Sequence, residues 1–359
     1  MNNTPGYELA VIIPALNEAT SLPALITALG KQQNIHFEII VADGGSSDET
    51  LAACRLTAEA AQVPFQGVST PAGRAKQMNA GSRHAHADDL LFLHADTTID
   101  NPHLLADAKA AMERVRKTRG DDDVAGHFGL YFIRNNHHHD AGYYFFEAKT
   151  RLNRRDCING DQGFWLSQRY LQQLGGFDES LNFMEDARLA HKIFDHGHWV
   201  TLPGSVGTSA RRFETEGLKQ RQTLNAIICN FDRIGFHAFF GAAQSAYRQQ
   251  EKTDALNLIP FLKIIHRLSF AEGLKQGARY WFDTGSYVAE NCWQLAFQRD
   301  CRRNRAAGRP PGTGAFKTLE TYDKQIAPLI NSPPARVMTA LLTLLWFYGL
   351  LAVLLFKSA

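Results

Sequence analysis

At 359 residues the chain is longer than one small core needs, and it fits a large α/β domain with an appendage. Its 38 Lys and Arg nearly balance 36 Asp and Glu, a formal charge of +2, so bulk charge gives no reason to expect nucleic acid as a partner. The five cysteines (Cys54, Cys157, Cys229, Cys292 and Cys301) are scattered and never form a CxxC pair, which argues against a disulfide framework or a zinc knuckle and fits a reducing compartment.

The N-terminus, MNNTPGYELAVIIP, has no basic region ahead of its short apolar run and does not read as a signal peptide. ELAVIIP is a continuous apolar strand, and ATSLPALITALGKQ follows with Leu22, Leu25, Ile26 and Leu29 at helical spacing. HFEIIVAD is a second strand. SSDETLAACRLTAEAA reads as a helix opened by a capping box of Ser46 and Glu49. PFQGVST is a short strand, GRAKQMNAGSRHA a helix, and DLLFLHAD a fourth strand. Apolar runs buried on both faces and separated by helices predict a mostly parallel sheet covered on each side. Ligands of such sheets bind beyond the carboxyl ends of the strands. Those ends carry Pro14 to Glu18, Asp43 to Ser46, Arg74 with Lys76, and His94-Ala95-Asp96, so polar and mainly acidic groups converge on one edge.

After residue 120 the alternation breaks down. HFGLYFIR reads as a strand, HHHDAGYYFFEAKTRLNRR as a loop leading into a helix, and GDQGFWLSQ as a strand preceded by a turn. ESLNFMEDARLAHKIFDHG has helical periodicity. The run His137-His138-His139-Asp140 reads as a solvated loop, because consecutive residues cannot converge on one ion without a contorted backbone. Beyond about residue 235 the chain is helical and aromatic-rich; LIPFLKIIHRLSF and ARYWFDTGSYVAENCWQLAF fit either a membrane surface or packing on the main domain. RDCRRNRAAGRPPGTG is a basic connection able to touch anionic headgroups. From Val337 to Phe356 the sequence carries no charge, which at about 1.5 Å per residue makes roughly 30 Å of helix, the thickness of a bilayer's hydrocarbon core. A buried or dimer-forming helix is the alternative to a single membrane span.

VIIPALNE, VADGGSSDET, GRAKQMNAG, LFLHADT and GGFDESLNFMEDARLAHKI occur in the order and spacing of family 2 glycosyltransferases, and the chain resembles a bacterial family-2-like subgroup over roughly residues 8–235. The resemblance implies a GT-A fold: α/β, Rossmann-like, with a mostly parallel central sheet over residues 1–235. A helical extension over 236–335 and one transmembrane helix over 336–357 would follow. In the family the carboxylate matching Asp43 recognises the nucleobase, and Pro14 and Glu18 line the same pocket. Asp48 either belongs there or only favours a helix N-terminus.

HAD matches the family's Asp-x-Asp element. On a strand His94 and Asp96 would share one face. A hard cation on a diphosphate prefers carboxylate oxygen, which makes Asp96 the expected ligand of Mn²⁺ or Mg²⁺. His94 stands where the common pattern has Asp, and contacts ribose or phosphate or helps hold a softer ion. Glu185 and Asp186 lie adjacent at a helix start and point about 100° apart. The resemblance selects Asp186 as catalytic base and leaves Glu185 to structure or acceptor contact. Asp161 and Gln162 in GDQG match the acceptor-side loop. Arg212, next to Arg211, is placed to clamp pyrophosphate. Arg74 and Lys76 at a helix start suit phosphate as well. Processive members carry a Gln-x-x-Arg-Trp element; this chain has Arg212-Phe213 without the Gln, so single-sugar transfer is expected.

The expectation is a metal-dependent, inverting glycosyltransferase with its catalytic domain on the cytoplasmic side of a membrane. Its donor is a UDP- or GDP-sugar and its acceptor a lipid or lipid-linked molecule. A sugar nucleotidyltransferase shares the architecture but would carry a Gly-rich, lysine-containing loop after the first strand, where this chain has ALNEATS. A membrane-bound regulator that only binds nucleotide sugars is the non-enzymatic alternative, and retention of Asp96 and Asp186 argues against it.

Overall fold

The computed structural model describes residues 6–181, 183–248 and 255–358. The chain divides into two compact units, Met1–Ile133 with Phe146–Ser209, and Arg134–Phe145 with Ala210–Ala359.

The first unit is an α/β layer structure in which β1 (Leu9–Ala15), α1 (Leu22–Leu29), β2 (Phe37–Asp43), α2 (Thr50–Ala60), β3 (Phe65–Ser69), α3 (Arg74–His84), β4 (Asp89–Phe92) and α4 (Leu104–Arg119) alternate as expected. β5 (Val124–Ile133), α5 (Asp140–Lys149, which begins in the second unit), β6 (Phe164–Ser167), α6 (Gln168–Gln173), α7 (Glu185–His196) and β7 (His198–Ser209) complete it. The sheet order is β3-β2-β1-β4-β6-β5-β7, with β6 antiparallel to both β4 and β5.

β1 and β2 are apolar at almost every position because helices cover both faces. Leu9, Val11 and Ile13 enter a core with residues of α1, α2 and α4, while Ala10 and Ile12 enter another with residues of α3, α6 and α7. On the second face Gly81 of α3 lies against Ile12, where an added Cβ would come within 2.5 Å of Ile12 Cγ2. Two polar side chains on the same helix are also buried or half-buried. Gln77 donates from Nε2 to the carbonyls of Ala15 (2.7 Å) and Ala42 (2.9 Å), tying the ends of β1 and β2 together. Asn79 donates to the Phe177 carbonyl and accepts from its N–H, anchoring the loop that leads toward α7.

Three sequence expectations are corrected. β4 stops at Phe92, so His94 and Asp96 stand in a turn beyond the strand and do not share a strand face. Leu93 and Ala95 are buried and continue the apolar pattern after ladder pairing has ended. The capping box does not form: α2 begins at Thr50, its N-cap Glu49 makes no side-chain cap, and Ser46 binds Asp43 and Asn17 instead. The edge strand β7 has no counterpart in the sequence reading. A bulge against β5 between Thr201 and Ser205 takes in Pro203 and Gly204, which interrupt the alternation that would have marked a strand.

The second unit is helical: α8 (Arg211–Glu216), α9 (Leu218–Arg233), α10 (Ala238–Arg248), α11 (Ile259–Ser269), α12 (Leu274–Glu290), α13 (Trp293–Ala306), α14 (Lys317–Thr321), a π-helical turn, α15 (Ala327–Ile330) and α16 (Pro333–Ser358). Its core gathers Leu224, Phe231, Phe239, Phe261, Trp281 and Phe347. Pro333–Lys357 is long and apolar enough to cross a membrane by length and composition, with a mean hydropathy of 2.2.

Candidate active site

The carboxyl edge of the parallel strands collects the loops after β1, β2 and β4, the start of α3 and the loop that feeds β6. Because β6 runs antiparallel, with Phe164 opposite Phe92, its entry lies beside the exit of β4. The turn holding His94 therefore meets the Gly160–Gln162 turn.

At α7 the chain enters through Met184, a non-glycine residue at φ +66°. Such left-handed conformations are uncommon and cluster at functional sites. The two acidic residues that follow diverge as their spacing requires. Glu185 is 1% exposed and faces Arg74, with Nη1 to Oε1 at 3.3 Å. That contact lacks hydrogen-bond geometry, so Glu185 Oε1 has no hydrogen-bond partner. Burial pushes the Glu185 carboxyl above the usual glutamate value; Arg74 opposes the rise and Asp186 adds to it.

Asp186 is half-buried. Its Oδ2 accepts the Gly160 N–H at 2.7 Å and its Oδ1 the Ala187 N–H at 2.7 Å. Each oxygen keeps a lone pair for another donor. Gly160 is the point of closest approach, since an added Cβ would lie 2.9 Å from both Asp186 Oδ2 and His94 Nε2. His94 Nδ1 pairs with Asp161 Oδ1 at 2.7 Å. Burial lowers the imidazole's proton affinity, but the bond and charge of Asp161, helped by Asp186, outweigh burial and Arg74, so the net shift is upward.

The structure thus brings His94, Asp161, Glu185, Asp186 and Arg74 together. Gln162 is 1% exposed and donates to the Cys157 carbonyl at 2.8 Å, which makes it an internal strut.

On the other side of the edge, Asp43 closes β2 and is 6% exposed. Its Oδ2 accepts from the N–H groups of Gly45 (3.1 Å) and Ser46 (3.0 Å), and Ser46 Oγ donates to Oδ1. The loops after β1 and β2 are stitched together: Asn17, at φ +58°, donates its N–H to Ser46 Oγ and accepts from the Ser47 N–H, both at 2.8 Å. Asp48 accepts from the N–H groups of Ala19 and Thr50, and the Thr50 hydroxyl leads the causes that lower its pKa. Glu18 accepts from the Ser21 hydroxyl. Pro14 is half-buried within β1, and Lys76 is half-buried in the first turn of α3.

Asp96 is exposed in its turn. Among the described residues no three His, Cys, Asp or Glu side chains form a group able to hold a metal. A single exposed carboxylate suits a cation that arrives with a diphosphate, since Mg²⁺-type sites often use one or two carboxylates plus phosphate oxygens. It does not suit a cage built by the protein alone. Arg212 lies in α8 of the second unit, where its Nε is 3.6 Å from Glu216 Oε1.

Sequence reasoning missed Gly160, Gln77 and Asn79. Gln77 and Asn79 stand about 200° apart around α3, so no single helix face marked them in the sequence.

Comparison with known proteins gives a consistent direction. Residues 10–175 match the sequence model of "Glycosyl transferase family 2". A "PGL/p-HBAD biosynthesis glycosyltransferase" of Mycobacterium tuberculosis is 36% identical over 98 residues, 27% of this chain and 38% of that protein. The "4,4'-diaponeurosporenoate glycosyltransferase" of Staphylococcus haemolyticus is 34% identical over 99 residues, 27% of this chain and 26% of that one. The "undecaprenyl-phosphate 4-deoxy-4-formamido-L-arabinose transferase" of Pseudomonas fluorescens is 32% identical over 132 residues, 34% of this chain and 38% of that one. The chain therefore spans well under half the length of these relatives. A solved mannosyltransferase from Pyrobaculum calidifontis, in complex with GDP-Man and Mn²⁺, is alike over 96% of this chain and 88% of that one at 19% identity. The TM-score of that pair is 0.45.

Proposed function

We propose that the protein, whose residues 10–175 match the family 2 glycosyltransferase model, moves a single sugar from a nucleoside-diphosphate donor to an acceptor hydroxyl with inversion at the anomeric carbon. The observation that carries this reading is the Asp186 carboxylate, fixed by the Gly160 N–H at the sheet's ligand-binding edge, with a lone pair left on each oxygen.

In this mechanism the acceptor oxygen attacks the anomeric carbon while the bond to the diphosphate breaks on the opposite face. Asp186 accepts the hydroxyl proton as general base. Asp161 and the His94 ring bound to it stand beside Asp186 and orient sugar or acceptor hydroxyls. Arg74, half-exposed and held by Glu185, faces the departing diphosphate with Lys76. Asp96 would hold the divalent cation, which when bound offsets charge on the leaving group. Asp43, Pro14 and Glu18 form the nucleoside side, on loops that Gln77 and Asn17 hold in register.

α16 supports attachment to a membrane, and two matched relatives are named for undecaprenyl-phosphate and 4,4'-diaponeurosporenoate chemistry. We therefore assign the acceptor to the lipid or lipid-linked class, with the catalytic domain on the cytoplasmic side. The test is a thermal-shift screen of UDP- and GDP-sugars with and without Mn²⁺, followed by transfer from the stabilising donor into lipid extract. A donor at a hundred times its Kd should add about 2.7 kcal/mol of stability. Stabilisation without transfer to any extract would favour a binding protein over an enzyme.

A further inference from the structure

We propose that α16 lies in the plane of one membrane leaflet, docked lengthwise on α11 and α12, and does not cross the bilayer. The inference deepens the membrane attachment proposed above and rests on it.

Two faces of α16 behave differently. Ala340 and Phe347 are buried, whereas Val337, Leu341, Leu342, Leu345, Trp346 and Phe356 are exposed. The buried face runs antiparallel along α12. Arg336 lies 3.5 Å from Glu290, Ala340 packs where a Cβ on Gly285 would come within 2.3 Å of its Cα, and Phe347 meets the Trp281 ring at 5.0 Å. Tyr348 adds a 2.9 Å hydrogen bond to His266 of α11. These contacts set depth. Arg279 and Asp283, an ion pair at 3.8 Å on α12, stand level with the middle of the uncharged run Val337–Phe356.

Were α16 to cross a bilayer with its partners in place, that pair would sit near the hydrocarbon midplane, with the Arg279 side chain 75% exposed. Charged side chains facing lipid at that depth are strongly disfavoured. Were α16 to cross alone, it would strip Trp281 of Phe347 and leave Glu290 without Arg336. Lying in the plane avoids both. The exposed stripe enters the acyl boundary, while α12 keeps its charges in water or among headgroups. Charge points the same way. The unit containing α16 has 21 Lys and Arg against 12 Asp and Glu, a formal +9, although the whole chain is only +2. A unit of that net charge is attracted to an anionic leaflet.

Trp346, in the middle of the uncharged run and 54% exposed, reports its own depth. Full-length protein and its Trp346→Phe variant are bound to vesicles of anionic and zwitterionic phospholipid brominated either near the headgroup or near the chain end. The difference between the two proteins isolates Trp346 from the other tryptophans. The in-plane helix predicts stronger quenching of that component by the shallow bromines. Stronger quenching by the deep bromines means α16 spans, and overturns the proposal while leaving membrane attachment intact. No quenching, with the protein remaining in the aqueous phase, overturns attachment itself. A dimer by sedimentation whose Trp346 is shielded from both lipids assigns the stripe to a second copy and also overturns the proposal.

Discussion

Asp186 and Gly160 are joined by a 2.7 Å hydrogen bond across 26 residues of chain, from the glycine N–H to the carboxylate Oδ2. The bond fixes the proposed base against the loop entering β6, and the same glycine leaves room for His94. The geometry makes Gly160 as testable as the carboxylate it holds.

Asp186→Asn keeps size and hydrogen-bonding reach but cannot take a proton at neutral pH. Sugar transfer is expected to fall by about 10²–10⁴-fold, the range for losing a general base. Donor affinity by calorimetry should stay within a few-fold of wild type. An active Asp186→Asn enzyme removes Asp186 from the proton-accepting role.

Gly160→Ala places a methyl 2.9 Å from both Asp186 Oδ2 and His94 Nε2, so at least one must shift. A misplaced reacting group can lower rate by roughly 10². Here kcat should drop while thermal stability changes little. Unchanged kcat would mean that Asp186 works from another position.

Burial holds Glu185 above the 4.5 of a free glutamate despite Arg74. The fold thus favours the protonated form. Its contribution to stability is complete below the unfolded pKa and is lost as pH rises through the raised value. Glu185→Gln stays neutral, so its Tm relative to wild type should climb as pH rises above the free glutamate value of 4.5. The opposite trend in paired melting curves would show that Arg74 more than offsets burial.

Gln77→Leu removes both donors that bind the Ala15 and Ala42 carbonyls. The Ala15 carbonyl keeps the Gly44 N–H, so the expected cost is that of lost buried hydrogen bonds, about 0.5–1.5 kcal/mol each, measurable by denaturant unfolding. Donor affinity should fall too, because the loops beyond β1 and β2 carry Glu18 and Asp43. A destabilised protein with unaltered donor affinity would detach those loops from the donor site.

Leu345 is 69% exposed on α16 and Phe347 is 3% exposed. Leu345→Glu should release protein from the membrane fraction without lowering its Tm, whereas Phe347→Glu should destabilise it. Equal effects on both properties would show that the two faces of the helix are not distinct.

The sequence displayed the parts of the fold that depend on local pattern. β1 and β2 were legible because helices on both faces demand unbroken apolar runs, and the order of acidic groups along the sheet edge followed from the strand ends. The end of β4 was not legible, since Leu93 and Ala95 prolong the apolar pattern although ladder pairing stops at Phe92. β7 was hidden by Pro203 and Gly204. Asp186 and Asp161 stood out by motif, but the contact of Arg74 with Glu185 joins residues far apart in the chain and leaves no periodic trace. The shared strand face of His94 and Asp96 is absent because β4 ends at Phe92, and the pairing of His94 with Asp161 left no trace in the sequence.

The antiparallel insertion of β6 also has a consequence in time. β3, β2, β1 and β4 can pair once Phe92 has left the ribosome, but the free edge of β4 waits for Phe164, its partner in register. At about 5–20 residues per second, a nascent chain carries that open edge for several seconds. During that interval β4 is exposed to pairing with another chain. Slow synthesis between residues 92 and 164 should therefore raise aggregation of this protein more than the same delay placed after residue 167.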